Sequence, residues 1–156
     1  MTDRFDHHVL GIGNAIVDVL SLTDDAFLVS EGLAKGSMNL IDTERAEALY
    51  AAMGAATEAS GGSAGNTVAA IGSLGGQGAF FGKVCDDTLG RFYRHDMRAM
   101  GMTFDTPPLP PGATPTARSM ILITPDGERT MNTYLGACVE LGPDDIDEKI
   151  VAGSAI

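Results

Sequence analysis

"GGSAGNT" (residues 61–67) runs directly into the apolar stretch "VAAIGSL" (68–74). Glycine is a poor helix former, and two adjacent glycines add backbone freedom that folding must remove. Placed at the mouth of a helix over about 64–74, they mark either a plain turn or a place where a ligand comes close to backbone. The flanking segments decide between the two. "QGAFFGKV" downstream reads as a strand, and "ERAEALYAAMGAATEA" upstream has helical apolar spacing at Ala46, Leu49, Tyr50 and Met53, capped by Asp42 or Thr43.

Further upstream, Val9, Leu10 and Ile12 read as a buried strand, which Ile16, Val17, Val19, Leu20 and Leu22 continue with Asp18 set among them. "DDAFLVSEGL" is a short helix ending at Gly32, and "GSMNLID" (36–42) a short strand. Downstream, "DTLGRFYRHDMRAMG" places Leu89, Phe92, Tyr93 and Met97 on one helix side, and "TPPLPPGATPT" holds too many prolines for a helix interior. "ARSMILITPDGERTMNTYLGA" reads as a hairpin turning at "PDG"; "GPDDIDEKIVAGSAI" opens a helix at Pro143 and heads into a strand. Strands alternating with helices predict an α/β domain with a mainly parallel sheet and a small accessory sheet. The small, apolar "IVAGSAI" reads as the start of a buried strand, so the domain is expected to be truncated, the N-terminal part of a larger one.

Composition excludes several classes of partner. With 10 Lys and Arg against 21 Asp and Glu, the net charge of −11 argues against nucleic acid and anionic membrane, which need clustered cations. No apolar run is long enough to span a bilayer, and "MTDRFDHH" does not open a signal peptide. Cys85 and Cys138 are two isolated cysteines with no zinc-type spacing, which fits a reduced, cytoplasmic setting. His7 and His8 read as solvated.

"GIGNAIVD" contains Gly-x-Gly after a strand, but Ile16 stands where a dinucleotide fingerprint has its third glycine, and strand-forming residues follow instead of a helix. No P-loop is present. Asn14 and Asp18, four apart, share a face on a regular strand. An acid in so apolar a strand is costly unless paired or bound. It either caps something nearby or, with Asn14, grips adjacent hydroxyls of a polyol. The "GGSAGN" loop would serve the same ligand: glycines admit backbone, Ser63 and Asn66 add donors, and the helix N-terminus faces the same space.

Together, "GNAIVD", "GGSAGN" before a helix and "GKVCDDTLGRF" resemble the ribokinase (PfkB) family of small-molecule kinases, and "KGSMNLID" and "GERTMNTYLGA" resemble its adenosine-kinase-like branch. The resemblance covers Val9 to Ile156. It implies a doubly wound ribokinase-like α/β fold with a small β-sheet lid, here from about 15–22, 36–42 and 117–134. It implies ATP-dependent phosphorylation, with Mg²⁺, of a primary hydroxyl of a sugar or nucleoside, and lids that can pair into a homodimer. By resemblance Asn14 and Asp18 hold ribose-type hydroxyls, Gly61 and Gly62 form a pliable turn, Ser63 and Asn66 line the pocket, and Arg129 reaches the transferred phosphate. Asp86 and Gly90 read as a helix cap and a packing point. The family's Asp-Thr-x-Gly-Ala-Gly-Asp signature, which carries the catalytic base, is absent, as is the C-terminal ATP-binding half. The 156 residues alone are therefore expected to be inactive, and a non-catalytic sugar- or nucleoside-binding module is the alternative.

Overall fold

Two sheets divide the strands of this chain, and the chain crosses between them at the residues singled out above. A computed structural model describes residues 5–156; for Met1–Arg4 the reading of the leader lies outside the described residues. Strand β1 (Val9–Ile12) pairs in parallel with β5 (Gly78–Phe81). Strand β2 (Ile16–Leu22) belongs to the other sheet, in the order β3-β7-β6-β2-β4, with β3 Met38–Leu40, β4 Ala56–Gly61, β6 Ala117–Ile123 and β7 Arg129–Tyr134. The pairs β2–β6 and β3–β7 are parallel, whereas β2–β4 and the β6–β7 hairpin are antiparallel. The predicted single strand from Val9 to Leu22 is thus two strands in different sheets, joined by Gly13–Ala15.

Helices follow the capping chemistry. Asp24, Asp42 and Asp87 each accept a backbone N–H at the start of α1 (Asp25–Ser30), α2 (Thr43–Ala52) and α4 (Thr88–Ala99). The cap of α4 is Asp87 rather than Asp86, which instead pairs with Arg91 at 3.1 Å. Gly90 is the packing point: a Cβ there would strike the Cys85 carbonyl and stand 2.8 Å from Thr116 Oγ1. Helix α2 stops at Ala52, and the residues expected to extend it form edge strand β4 instead. Helix α3 (Ser63–Ser73) grows from the glycine pair, and α5 (Glu148–Ala152) takes up part of the stretch expected as a terminal strand. Strand-like pairing there begins only after Gly153, where Ala155 N–H donates to His7 O and Leu10 N–H to Ile156 O. His7 is half-buried with its Nε2 2.9 Å from Thr103 Oγ1, not solvated as expected, while His8 is exposed and accepts the Gln77 N–H at Nδ1.

Two apolar clusters hold these pieces. One packs Val17, Val19, Val68, Phe80, Tyr93, Met97 and Phe104, so it joins β2 to α3, β5 and α4. The other packs Leu28, Ala46, Leu49, Met120 and Leu122, so α1 and α2 cover one face of the five-stranded sheet. Each fully buried side chain of this size contributes roughly 1.5–3 kcal/mol. The opposite face of that sheet carries no helix, and there the candidate site lies. No helix among the described residues is long and apolar enough to cross a membrane.

Candidate substrate site

Alternation along β2 sends Val17, Val19 and Ser21 inward and leaves Ile16, Asp18 and Leu20 on the uncovered face, half-buried. The ladder registers extend that face. Asp18 stands opposite Ser119, then Thr133, then Leu40; Leu20 stands opposite Ile121, then Met131, then Met38. The row through Leu20 is therefore apolar, with Met38 59% exposed, and the row through Asp18 carries a carboxylate and two hydroxyls before Leu40, which is 64% exposed. Met120 points the other way and is fully buried against α1 and α2, whereas Ile121 and Met131 stand on the uncovered face.

Asp18 is half-buried and accepts no hydrogen bond and forms no ion pair among the described residues. Burial pushes its carboxyl above the usual carboxylate range. Diagonally across the ladder, opposite Ile16, lies Gly61, where an added Cβ would meet the carboxylate, with Oδ1 2.8 Å away. Gly62 follows with φ 87°, in the region that favours glycine, and a Cβ on it would strike the carbonyl oxygen of Asn14. That contact brings the exposed Asn14, on the connection between the two sheets, beside the start of α3. The N-cap position of α3 is Gly62, which offers no side-chain acceptor, so the first-turn N–H groups keep a free end. Ser63 and Asn66 are exposed in that turn, and neither side chain has a hydrogen-bond partner among the described residues.

The structure thus gathers Asn14, Asp18, Gly61, Gly62, Ser63 and Asn66 around one corner. Arg129 shares the face but not the corner: it pairs in the ladder with Ile123 and thus lies level with Leu22. That puts it roughly 10 Å across the strands and roughly 13 Å along them from Asp18. It is exposed and has no ion pair among the described residues; Asp126, three residues earlier, is held by Lys35 at 2.7 Å. Sequence reasoning missed two residues that contact this corner, Tyr93 and Asp96 of α4. Tyr93 O–H donates to Gly61 O at 3.1 Å, and Ser60 O–H donates to the Asp96 carboxylate. The helical periodicity placed Tyr93 on the apolar side, but its hydroxyl partner is a tertiary contact no local pattern announces. A depression of about 620 Å³ outside this corner is lined by Arg91, Arg94, His95 and Arg98, of which Arg91 and Arg98 are already paired with Asp86 and Asp105.

This corner can bind vicinal hydroxyls. An ionised carboxylate accepts two O–H donors, each bond worth roughly 1.5–3 kcal/mol. The helix start and the Asn14, Ser63 and Asn66 side chains supply donors around it, and the apolar face beside it can take a flat, weakly polar group.

Known proteins carry the same architecture. The solved structure of adenosine kinase from Sinorhizobium meliloti superposes with a TM-score of 0.88 and 61% identity, covering 95% of this chain and 45% of that one. A probable sugar kinase from Rhizobium etli does so with a TM-score of 0.88 and 56% identity, covering 96% and 45%. Guanosine-inosine kinase of Escherichia coli K12 is 29% identical over 154 residues, 94% of this chain and 35% of that protein. The chain spans less than half the length of these relatives. A family model matches residues 26–154, and the chain belongs to the pfkB family of carbohydrate kinases.

Proposed function

We propose that the whole protein to which this chain belongs transfers a phosphoryl group from ATP to a primary hydroxyl of a nucleoside, with this chain supplying the acceptor site. The observation that carries the reading is Asp18: a half-buried carboxylate without a protein partner, set beside a helix start and an uncovered apolar face. Its location asks for hydroxyl donors from a ligand. The apolar neighbours Ile16, Leu20, Met38, Leu40, Ile121 and Met131 favour a ligand with a flat base over a plain sugar, which is polar all round. The S. meliloti neighbour is named an adenosine kinase, in keeping with this choice, while the R. etli neighbour is named a probable sugar kinase.

In this reading the carboxylate and Asn14 fix the ribose hydroxyls, and the first-turn N–H groups of α3 with Ser63 and Asn66 complete the grip. The five-stranded sheet acts as the lid, and its closure excludes water that would otherwise compete as acceptor. We assign Arg129, at the far end of the same face, to the phosphate as it transfers, where a planar fork of donors suits the spread charge. Mg²⁺ accompanies ATP in this family. Among the described residues no group of three or more His, Cys, Asp or Glu side chains could hold a metal ion, so none is assigned to it.

A phosphoryl-transfer assay of the intact protein tests the proposal, using ATP and a panel of nucleosides and free sugars. A nucleoside is expected to give the highest kcat/KM, and Asp18→Asn is expected to raise its KM at least about tenfold. A free sugar preferred over every nucleoside, or an Asp18→Asn variant with unchanged acceptor kinetics, overturns the reading.

A further inference from the structure

Helix α4 reaches the glycine turn from behind. Tyr93 and Asp96 lie three residues apart, so they sit on one side of the helix, one turn from each other. Tyr93 is fully buried in the cluster with Phe80 and Phe104, their ring centroids 6.4 and 5.5 Å from its own. Its hydroxyl nevertheless finds a polar partner, the carbonyl of Gly61 at 3.1 Å. The space for that hydroxyl exists because residue 65, in the first turn of α3, is glycine: a Cβ there would lie 2.5 Å from the Tyr93 oxygen. One residue earlier in β4, the Ser60 hydroxyl donates to Asp96. The last two residues of β4 are thus held from α4 at two points, one on backbone and one on a side chain. They are the residues directly across the ladder from Val17 and Ile16, which immediately precede Asp18 on β2.

We propose that Tyr93 and Asp96 are positioning residues for the acceptor site: they clamp Ser60 and Gly61 so that the Gly61–Gly62 turn holds the start of α3 and the Asp18 carboxylate around one ligand. This rests on the acceptor-site reading of Asp18. Neither side chain touches that ligand. The clamp acts through backbone, and the geometry explains why an aromatic hydroxyl sits deep in an apolar cluster where phenylalanine would fill the same volume. Burial pushes the Tyr93 hydroxyl well above its usual pKa, so it stays a neutral donor at every working pH.

The test uses the intact protein and four variants: Tyr93→Phe, Ser60→Ala, Asp96→Asn and Asp18→Asn. Tyr93→Phe is expected to raise the acceptor KM three- to tenfold, the range that one lost hydrogen bond supports, with the KM for ATP unchanged. Hydrogen–deuterium exchange of the peptide spanning residues 56–66 is expected to rise in the same variant, while that of α4 stays constant. Ser60→Ala is expected to act in the same direction, as is Asp96→Asn, more weakly because its amide oxygen still accepts the Ser60 hydroxyl. If Tyr93→Phe lowers the melting temperature but leaves acceptor KM and exchange in 56–66 unchanged, Tyr93 is core packing alone and the clamp is overturned. If Asp18→Asn also leaves the acceptor KM unchanged, the acceptor-site reading falls and the positioning role with it. If Asp18→Asn raises KM and Tyr93→Phe does not, only the clamp falls.

Discussion

Replacing Gly62 by alanine tests the site through two separable costs. The backbone at Gly62 has φ 87° and ψ 133°, a region that side-chain-bearing residues occupy at about 1–3 kcal/mol of strain. The new methyl would also strike the Asn14 carbonyl oxygen, with Asn14 C 3.4 Å and Ile16 N 3.8 Å away. Those are backbone atoms, and they cannot rotate aside. The next residue, Ala15, is fully buried and its carbonyl accepts the Cys138 thiol at 3.1 Å, so yielding there disturbs the core. Overpacking of this kind costs typically about 1–3 kcal/mol, which brings the expected loss to about 2–6 kcal/mol. Gly32 supplies the comparison. It has φ 68° but nothing within 4 Å of an added Cβ, so Gly32→Ala carries the backbone cost alone. Urea unfolding of both variants of the intact protein, compared at constant m, gives the difference. Gly62→Ala is expected to lose at least about 1 kcal/mol more than Gly32→Ala, and to raise the acceptor KM because the Asn14 segment moves. Equal losses in the two variants would refute the argument that Asn14 and Gly62 are locked together.

Three further outcomes follow from the same geometry. Burial holds the Asp18 carboxyl above 3.8, so acceptor kcat/KM should fall as pH drops through that raised pKa, and Asp18→Asn should abolish this limb. For stability the sign is opposite: the native state takes up the proton more readily than the unfolded chain, so the penalty of this ionised group, present at neutral pH, fades as the solution is acidified, and a pH series of urea melts of parent and Asp18→Asn reads the difference. Lys83 and Asp145 form an ion pair in which the side chains are only 9% and 12% exposed; Lys83→Met should cost about 3–5 kcal/mol by stranding the carboxylate, and adding Asp145→Asn should recover part of it in urea melts. Arg129→Ala should lower kcat about a hundredfold while leaving the melting temperature within experimental error, and a near-normal kcat would return Arg129 to the surface charges.

Local chemistry made most of the element order readable. The acidic start of α1, the Asp42 cap of α2 and the apolar spacing of α4 are short-range signals, and the structure follows them, whereas the α4 cap falls on Asp87, one residue beyond Asp86. Strand β4 was hidden because "ATEASG" lacks the branched and aromatic residues that mark strands; it forms because it lies against β2 at the sheet edge, with only its last two residues covered. Long-range pairing likewise decides that Met120 faces α1 and α2 rather than the uncovered face. Which face a residue takes depends on register with β2 and β7, and one residue of register reverses it. The corner itself was legible because its members lie in two short motifs. Its support from α4 was not, since a Tyr93 hydroxyl bonded to a distant carbonyl leaves no periodicity behind.

The glycines of "GGSAGNT" have separate reasons in the structure, and a plain turn is only one of them. Gly62 alone needs its unusual backbone. Gly61 is extended strand, and what it lacks is a side chain in the space that the Asp18 carboxylate occupies. Gly65 is helical, and what it lacks is a side chain in the space of the Tyr93 hydroxyl. A plain turn would account for the first and for neither of the others. Each of the three instead makes room for a different polar atom: the Asn14 carbonyl, the Asp18 carboxylate and the Tyr93 hydroxyl. One of these has a partner inside the protein, for Tyr93 O–H bonds Gly61 O. The carboxylate has none among the described residues, and a half-buried charge without a partner carries a desolvation penalty that a hydroxyl-bearing ligand would offset. On the acceptor-site reading proposed above, the cost of glycine at the mouth of α3 is set against ligand binding as well as against the fold.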